Sequence, residues 1–145
     1  MTRLILSILP SNQDRIQVVG GGNEAEHIMP LAMAVAAAFT YNPSVLARVF
    51  DGKPESQDTY AYSGLIAQQR RAAVWIRQVR REGDLTVALN LHSDSGNYRH
   101  CGYYYDSPAT VSEWLGRALT DRVRDWFGGK VINADYSSYI FAREM

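Results

Sequence analysis

Apolar positions follow two rhythms along this chain. Leu4 to Leu9 is almost unbroken in its hydrophobicity and ends at a polar loop, Pro10-Ser11-Asn12-Gln13-Asp14. Leu85-Thr86-Val87-Ala88-Leu89-Asn90-Leu91 is a second run of the same kind, ending at His92 and the loop Ser93-Asp94-Ser95-Gly96-Asn97. Short runs apolar at nearly every position predict strands buried on both faces, as in a parallel sheet. Val45 to Phe50 predicts another strand, and Gly102-Tyr103-Tyr104-Tyr105 an aromatic one. Lys130 to Asn133 and Tyr139 to Ala142 are short strand candidates near the end.

Helical periodicity occupies the intervals. Glu24 to Phe39 is Ala-rich. Pro30 leaves two readings: a regular helix starting near Met29, or a longer helix interrupted at the proline. After the polar segment Asp51 to Thr59, Leu65, Ile66, Ala72, Ala73, Ile76 and Val79 share one helical face. Arg70, Arg77, Arg80 and Arg81 are left for solvent, and Gly83 closes the segment. A third helix starts around Pro108, with Thr110 and Glu113 spaced as a capping box and Ser107 as the rival cap. Val111, Trp114, Leu115, Ala118, Val123, Trp126 and Phe127 form its apolar face before Gly128-Gly129. Strands alternating with helices predict a three-layer α/β fold, a single domain over residues 1–145 with a mostly parallel sheet flanked by helices.

Composition narrows the function classes. The 145 residues are 46% hydrophobic and 21% charged, and Lys+Arg and Asp+Glu both number 15. A formal net charge of zero argues against nucleic acid as the main partner, because phosphate binding favours a basic excess. Cys101 is the single cysteine, which excludes an internal disulfide and a cysteine-based zinc cluster. No run approaches the roughly 18 apolar residues of a membrane span. Leu4 to Leu9 is too short for the core of a signal peptide, so action outside the cell would require something other than a visible signal.

Chemistry concentrates around three histidines, His27, His92 and His100. Open α/β sheets bind ligands just past the carboxyl ends of their strands, and His92 follows such an end. The plain alternative is a histidine that closes a strand with a hydrogen bond. Glu24 and His27 stand three apart, on one helical face, just after Gly20-Gly21-Gly22. If the Leu4 and Leu85 strands are neighbours, this segment and the His92 loop share one sheet edge. Glu24 and His92 are then candidates to converge on one zinc ion. The alternatives are a favourable charge near a helix N-terminus for Glu24 and a solvent-facing side chain for His27. His100 and Cys101 are adjacent on a strand and point to opposite faces, so they are not a catalytic pair. Cys101 reads as a small buried residue. The tyrosines from Tyr103 to Tyr105 read as strand formers or as a stacking surface for a sugar or peptide. No nucleophile elbow, phosphate loop or dinucleotide fingerprint is present.

Three segments together resemble a family. Leu9-Pro10-Ser11-Asn12-Gln13, Gly22-Asn23-Glu24-Ala25-Glu26-His27 and Ala88-Leu89-Asn90-Leu91-His92-Ser93-Asp94 look like the zinc-dependent N-acetylmuramoyl-L-alanine amidases. More narrowly, they resemble the type-3 fold in its divergent SPSNQ…GNE branch. Gly102 to Tyr105 and the helix after it keep the family's order. The resemblance implies an endolysin-like peptidoglycan hydrolase that cleaves the amide between N-acetylmuramic acid and L-alanine with a zinc-activated water. It implies Glu24 and His92 as metal ligands. Asn12 or Gln13 stands where the family has its first histidine, which makes His27 the substitute ligand. The family's catalytic glutamate lies on a final strand, in a pattern like VELGFLSN, and this chain stops at Phe141-Ala142-Arg143-Glu144-Met145. Glu26 is then the candidate catalytic carboxylate, with Asp94 a loop-ordering partner of His92. The departures also imply an alternative, an inactive amidase-like domain that binds peptidoglycan or serves as a scaffold.

Overall fold

The computed structural model describes residues 2–11, 22, 24–51, 61–92, 100–105, 111–127 and 130–135. They divide into two compact units, Met1–Ser95 and Gly96–Met145. The first unit contains β1 (Leu4–Pro10), α1 (Glu24–Ala38), β2 (Val45–Val49), α2 (Ala61–Val79) and β3 (Leu85–Leu91). The second contains β4 (His100–Tyr105), α3 (Val111–Phe127) and β5 (Lys130–Asp135).

In the first unit the strand order is β2-β1-β3, and both neighbours run parallel to β1. A central strand faces a helix layer on each side, so neither set of alternating side chains reaches water. Ile5 and Leu9 point to one face and pack with Phe50, Ala72 and Trp75, supported by Leu46, Ile76, Val79 and Ala88. Leu6 and Ile8 point to the other and pack with Ala32, supported by Val35, Ala36 and Phe39 of the α1 region. This is the three-layer α/β arrangement expected from the sequence, with α1 on one face and α2 on the other. Ser7 interrupts the apolar run but is fully buried, and its hydroxyl donates to the Val87 carbonyl at 3.3 Å. A buried hydroxyl with a partner escapes most of its desolvation cost.

The helix α1 is continuous through Pro30. Its buried stripe, Ile28 and Ala32 followed by half-buried Val35 and Ala36, keeps helical spacing across the proline. Packing of that stripe overrides the local cost of the missing N–H. Beyond α2, the chain turns through Gly83, whose φ of +83° suits a residue without a Cβ. Arg70, Arg77, Arg80 and Arg81 are exposed, as the periodicity predicts.

The amino ends of β1 and β3 are held by charge. The Arg3 Nη2 lies 2.6 Å from Asp84 Oδ2, its Nε 3.3 Å from Oδ1, and Nη2 also donates to the Val79 carbonyl at 3.0 Å. The main-chain N–H groups of Arg3 and Arg81 donate to the same carboxylate at 3.2 and 2.9 Å. The Arg3 guanidinium, aided by the Arg81 N–H, holds the Asp84 carboxyl far below the usual carboxylate range. Asp84 in turn raises the Arg3 pKa.

The second unit is a βαβ element. β4 and β5 pair in parallel, from His100↔Lys130 to Tyr105↔Asp135, with α3 packed on both strands. The strand expected from Gly102 begins two residues earlier, at His100, and the one expected over Lys130 to Asn133 extends to Asp135. α3 starts at Val111, and Glu113 pairs with Arg117 one turn on, at 3.1 Å. The cap candidates Ser107 and Thr110, the start proposed near Pro108 and the strand proposed over Tyr139 to Ala142 lie outside the described residues. So do the side chains of His100, Cys101 and Tyr103 to Tyr105.

The Asp84 pKa is depressed in the folded state, so its contribution is complete above the unfolded carboxyl pKa of about 4 and fades as pH falls below it. Asp84→Asn is expected to lower the thermal midpoint by several degrees at pH 7. Its difference from the parent is expected to shrink steadily below pH 4. Thermal unfolding followed by circular dichroism across this pH range checks both the size and the sign.

Candidate functional site

The chain leaves β1 toward β2 on one side, then crosses to β3 on the other. Strand order therefore reverses at β1, and the crevice beyond the carboxyl ends of β1 and β3 is a topological switch point. The ladder between them runs from Leu4↔Leu85 to Pro10↔Leu91. It is extended by the Ser11 N–H, which donates to the Leu91 carbonyl at 2.8 Å. Pro10 is tolerated because β2 pairs with β1 only as far as Ile8, so β1 has a single strand neighbour at Pro10. This register brings Ser11, which is buried, level with the end of β3, and His92 follows immediately.

His92 is exposed at this edge. Glu24 is the first residue of α1, the helix that follows β1. The condition set by the sequence, that the Leu4 and Leu85 strands be neighbours, is met, and both segments belong to one sheet edge. His27 and Glu26 are exposed on the first turn of α1. Both side chains turn back over Gly22. A Cβ built there would sit 2.7 Å from Glu26 Oε2 and 3.2 Å from His27 Nε2. Gly22 has a φ of +79°, a backbone conformation that favours glycine. Asn12, Gln13, Asp94 and the side chain of Glu24 lie outside what is described. Among the described residues, no group of three or more His, Cys, Asp or Glu side chains could hold a metal ion. Among the same residues, no helix is long and apolar enough to cross a membrane.

A carboxylate at a helix start and an imidazole at the adjoining strand end are donor types that zinc accepts. Glu24 and His27 belong to the first turn of α1, and His92 directly follows β3. The mean of holding the edge in shape comes from α2. Gln68, fully buried, donates from Nε2 to the Pro10 carbonyl at 2.8 Å and to the Phe50 carbonyl at 2.6 Å. It thereby ties the carboxyl ends of β1 and β2 to the helix. Gln68 Oε1 and Gln69 Oε1 are buried without a hydrogen-bond partner. Sequence reasoning passed over this pair. The signal was present: Gln68 and Gln69 stand four residues before Ala72 and Ala73, on the apolar face.

Comparison with protein-family models, with curated proteins and with solved structures returned no match.

Replacing Gln68 by Leu leaves the Pro10 and Phe50 carbonyls without their donor in a buried setting, while relieving the unpartnered Oε1. The first effect involves two hydrogen bonds and dominates, so Gln68→Leu is expected to cost about 1–3 kcal/mol. Urea denaturation measures this cost, and amide exchange at Ser11 and Asp51 reports whether loosening is concentrated at the carboxyl edge.

Proposed function

We propose that this chain is a peptidoglycan amide hydrolase acting on the bond between N-acetylmuramic acid and L-alanine. The observation that carries the reading is the β1–β3 switch point, with His92 at one strand end and the Glu24 helix following the other. The sequence resemblance supplies the substrate class, and the edge supplies a place where a carboxylate and an imidazole belong together.

In this reading Glu24, His92 and His27 hold a zinc ion. When bound, zinc polarises the scissile carbonyl and brings the pKa of water toward about 7. Glu26 is the proton carrier. Its carboxylate takes a proton from the attacking water and returns it to the leaving amine of L-alanine, as general base and then general acid. The approach of both Glu26 Oε2 and His27 Nε2 to Gly22 at the start of α1 supports this role. Ser11, through its bond to Leu91, holds the two strand ends in register beneath the site.

A second reading is a peptidoglycan-binding or scaffold domain without catalysis. It is favoured by Asn12 and Gln13 at the position of the family's first histidine.

Purified protein reconstituted with zinc is expected to bind about one ion per chain and to clear suspensions of cell walls. His92→Ala is expected to lose both properties. Glu26→Gln is expected to retain the metal while losing about 100-fold or more in rate, the usual weight of a general acid–base. Metal analysis and wall turbidity measure the two independently. Wall binding without clearing, unchanged in His92→Ala, would establish the scaffold reading instead.

A further inference from the structure

A second candidate site lies away from the β1–β3 edge. An open cleft of about 460 Å³ separates the end of β2 from α2, within the range of small-ligand sites. Its lining includes Arg48, Phe50, Asp51, Arg70, Arg71 and Trp75. Arg48 shares its strand face with Leu46 and Phe50, the face that packs toward α2. Arg48 is nonetheless exposed. Charge on an edge strand discourages pairing with another chain, and β2 is an edge of this three-stranded sheet. That accounts for Arg48 alone. It does not account for Arg70 and Arg71, which line the same cleft from α2.

The guanidinium of Arg48 lies 5.2 Å from the centre of the Phe50 ring, a cation–π distance. Arg71 donates to the main-chain carbonyl of Asp51. The Arg48 and Arg71 guanidinium groups are therefore positioned before any ligand arrives, which lowers the ordering cost of binding. Phe50 and Trp75 pack against each other, with ring centres 5.4 Å apart, and present an apolar side to the cleft. Three arginines and one aspartate give these lining residues a formal charge of 2+. A phosphomonoester carries about 1.5 to 2 negative charges at neutral pH, and its oxygens match the planar fork of arginine. A monocarboxylate would leave much of that charge uncompensated.

We propose that this cleft binds a small organic phosphomonoester, with the phosphate on Arg48, Arg70 and Arg71 and the organic body against Phe50 and Trp75. The site is independent of the proposed hydrolase chemistry. Isothermal titration calorimetry of the full chain at fixed ionic strength provides the test, with glucose 6-phosphate as probe and glucose, succinate and inorganic phosphate as comparisons. Saturable binding of glucose 6-phosphate is expected, tighter than that of any comparison. It is expected to weaken at least tenfold in Arg48→Gln/Arg70→Gln and to persist unchanged in His92→Ala. Circular dichroism matching the parent shows that the double variant folds, and Arg48→Lys/Arg70→Lys is expected to recover only part of the loss, because lysine keeps the charge without the fork. Lack of saturable binding would overturn the proposal. So would equal or tighter binding of succinate or inorganic phosphate, or affinity unaffected in a correctly folded double variant.

Discussion

The first unit depends on the burial of β1 from both sides. Ile5, Leu6, Ile8 and Leu9 are each at most 6% exposed, and they serve two separate hydrophobic clusters. One strand is thus the shared wall of both cores. α1 and α2 need not touch each other to be fixed, because each is registered against opposite sides of the same seven residues. The β2-β1-β3 order follows from this, since β1 reaches full burial only with a partner on each side.

From that wall, the two ends of the sheet diverge in character. At the amino end a forked ion pair, Arg3 with Asp84, locks the starts of β1 and β3 together and anchors the last turn of α2 through Val79. At the carboxyl end the ties are neutral: Ser11 to Leu91, and Gln68 to Pro10 and Phe50.

Much of this was legible in residue pattern. The continuous apolar runs before Pro10 and His92 identified β1 and β3 as strands, and their ends located the candidate edge; only β1 is buried on both faces, whereas β3, an outer strand of the described sheet, is exposed at Leu85, Thr86 and Asn90. The arginines of α2 fell on the solvent side as the period of the helix required. Other features depend on proximity that no local pattern encodes. Arg3 and Asp84 are 81 positions apart, and neither belongs to a motif. The place of Arg48 at the cleft beside α2 depends on the register that sets it opposite Ser7. Pro30 pulled the local reading toward a shorter helix, whereas the stripe through Ile28, Ala32 and Val35 favoured continuity, and packing decided between them. The place of Gln68 at the strand ends required knowing that β1 and β2 are neighbours.

The register Leu4↔Leu85 also has a bearing on biosynthesis. β1 leaves the ribosome before every other core element of its unit, yet the strand that completes its pairing follows about 80 residues later. At translation rates of about 5–20 residues per second, that is a delay of roughly 4–16 s. Throughout it, the run Leu-Ile-Leu-Ser-Ile-Leu is a hydrophobic strand with an unfilled edge, the kind of segment that nascent-chain chaperones hold and that pairs with copies of itself when they do not. The residues that make the strongest wall in the finished protein are thus its greatest hazard while it is being made.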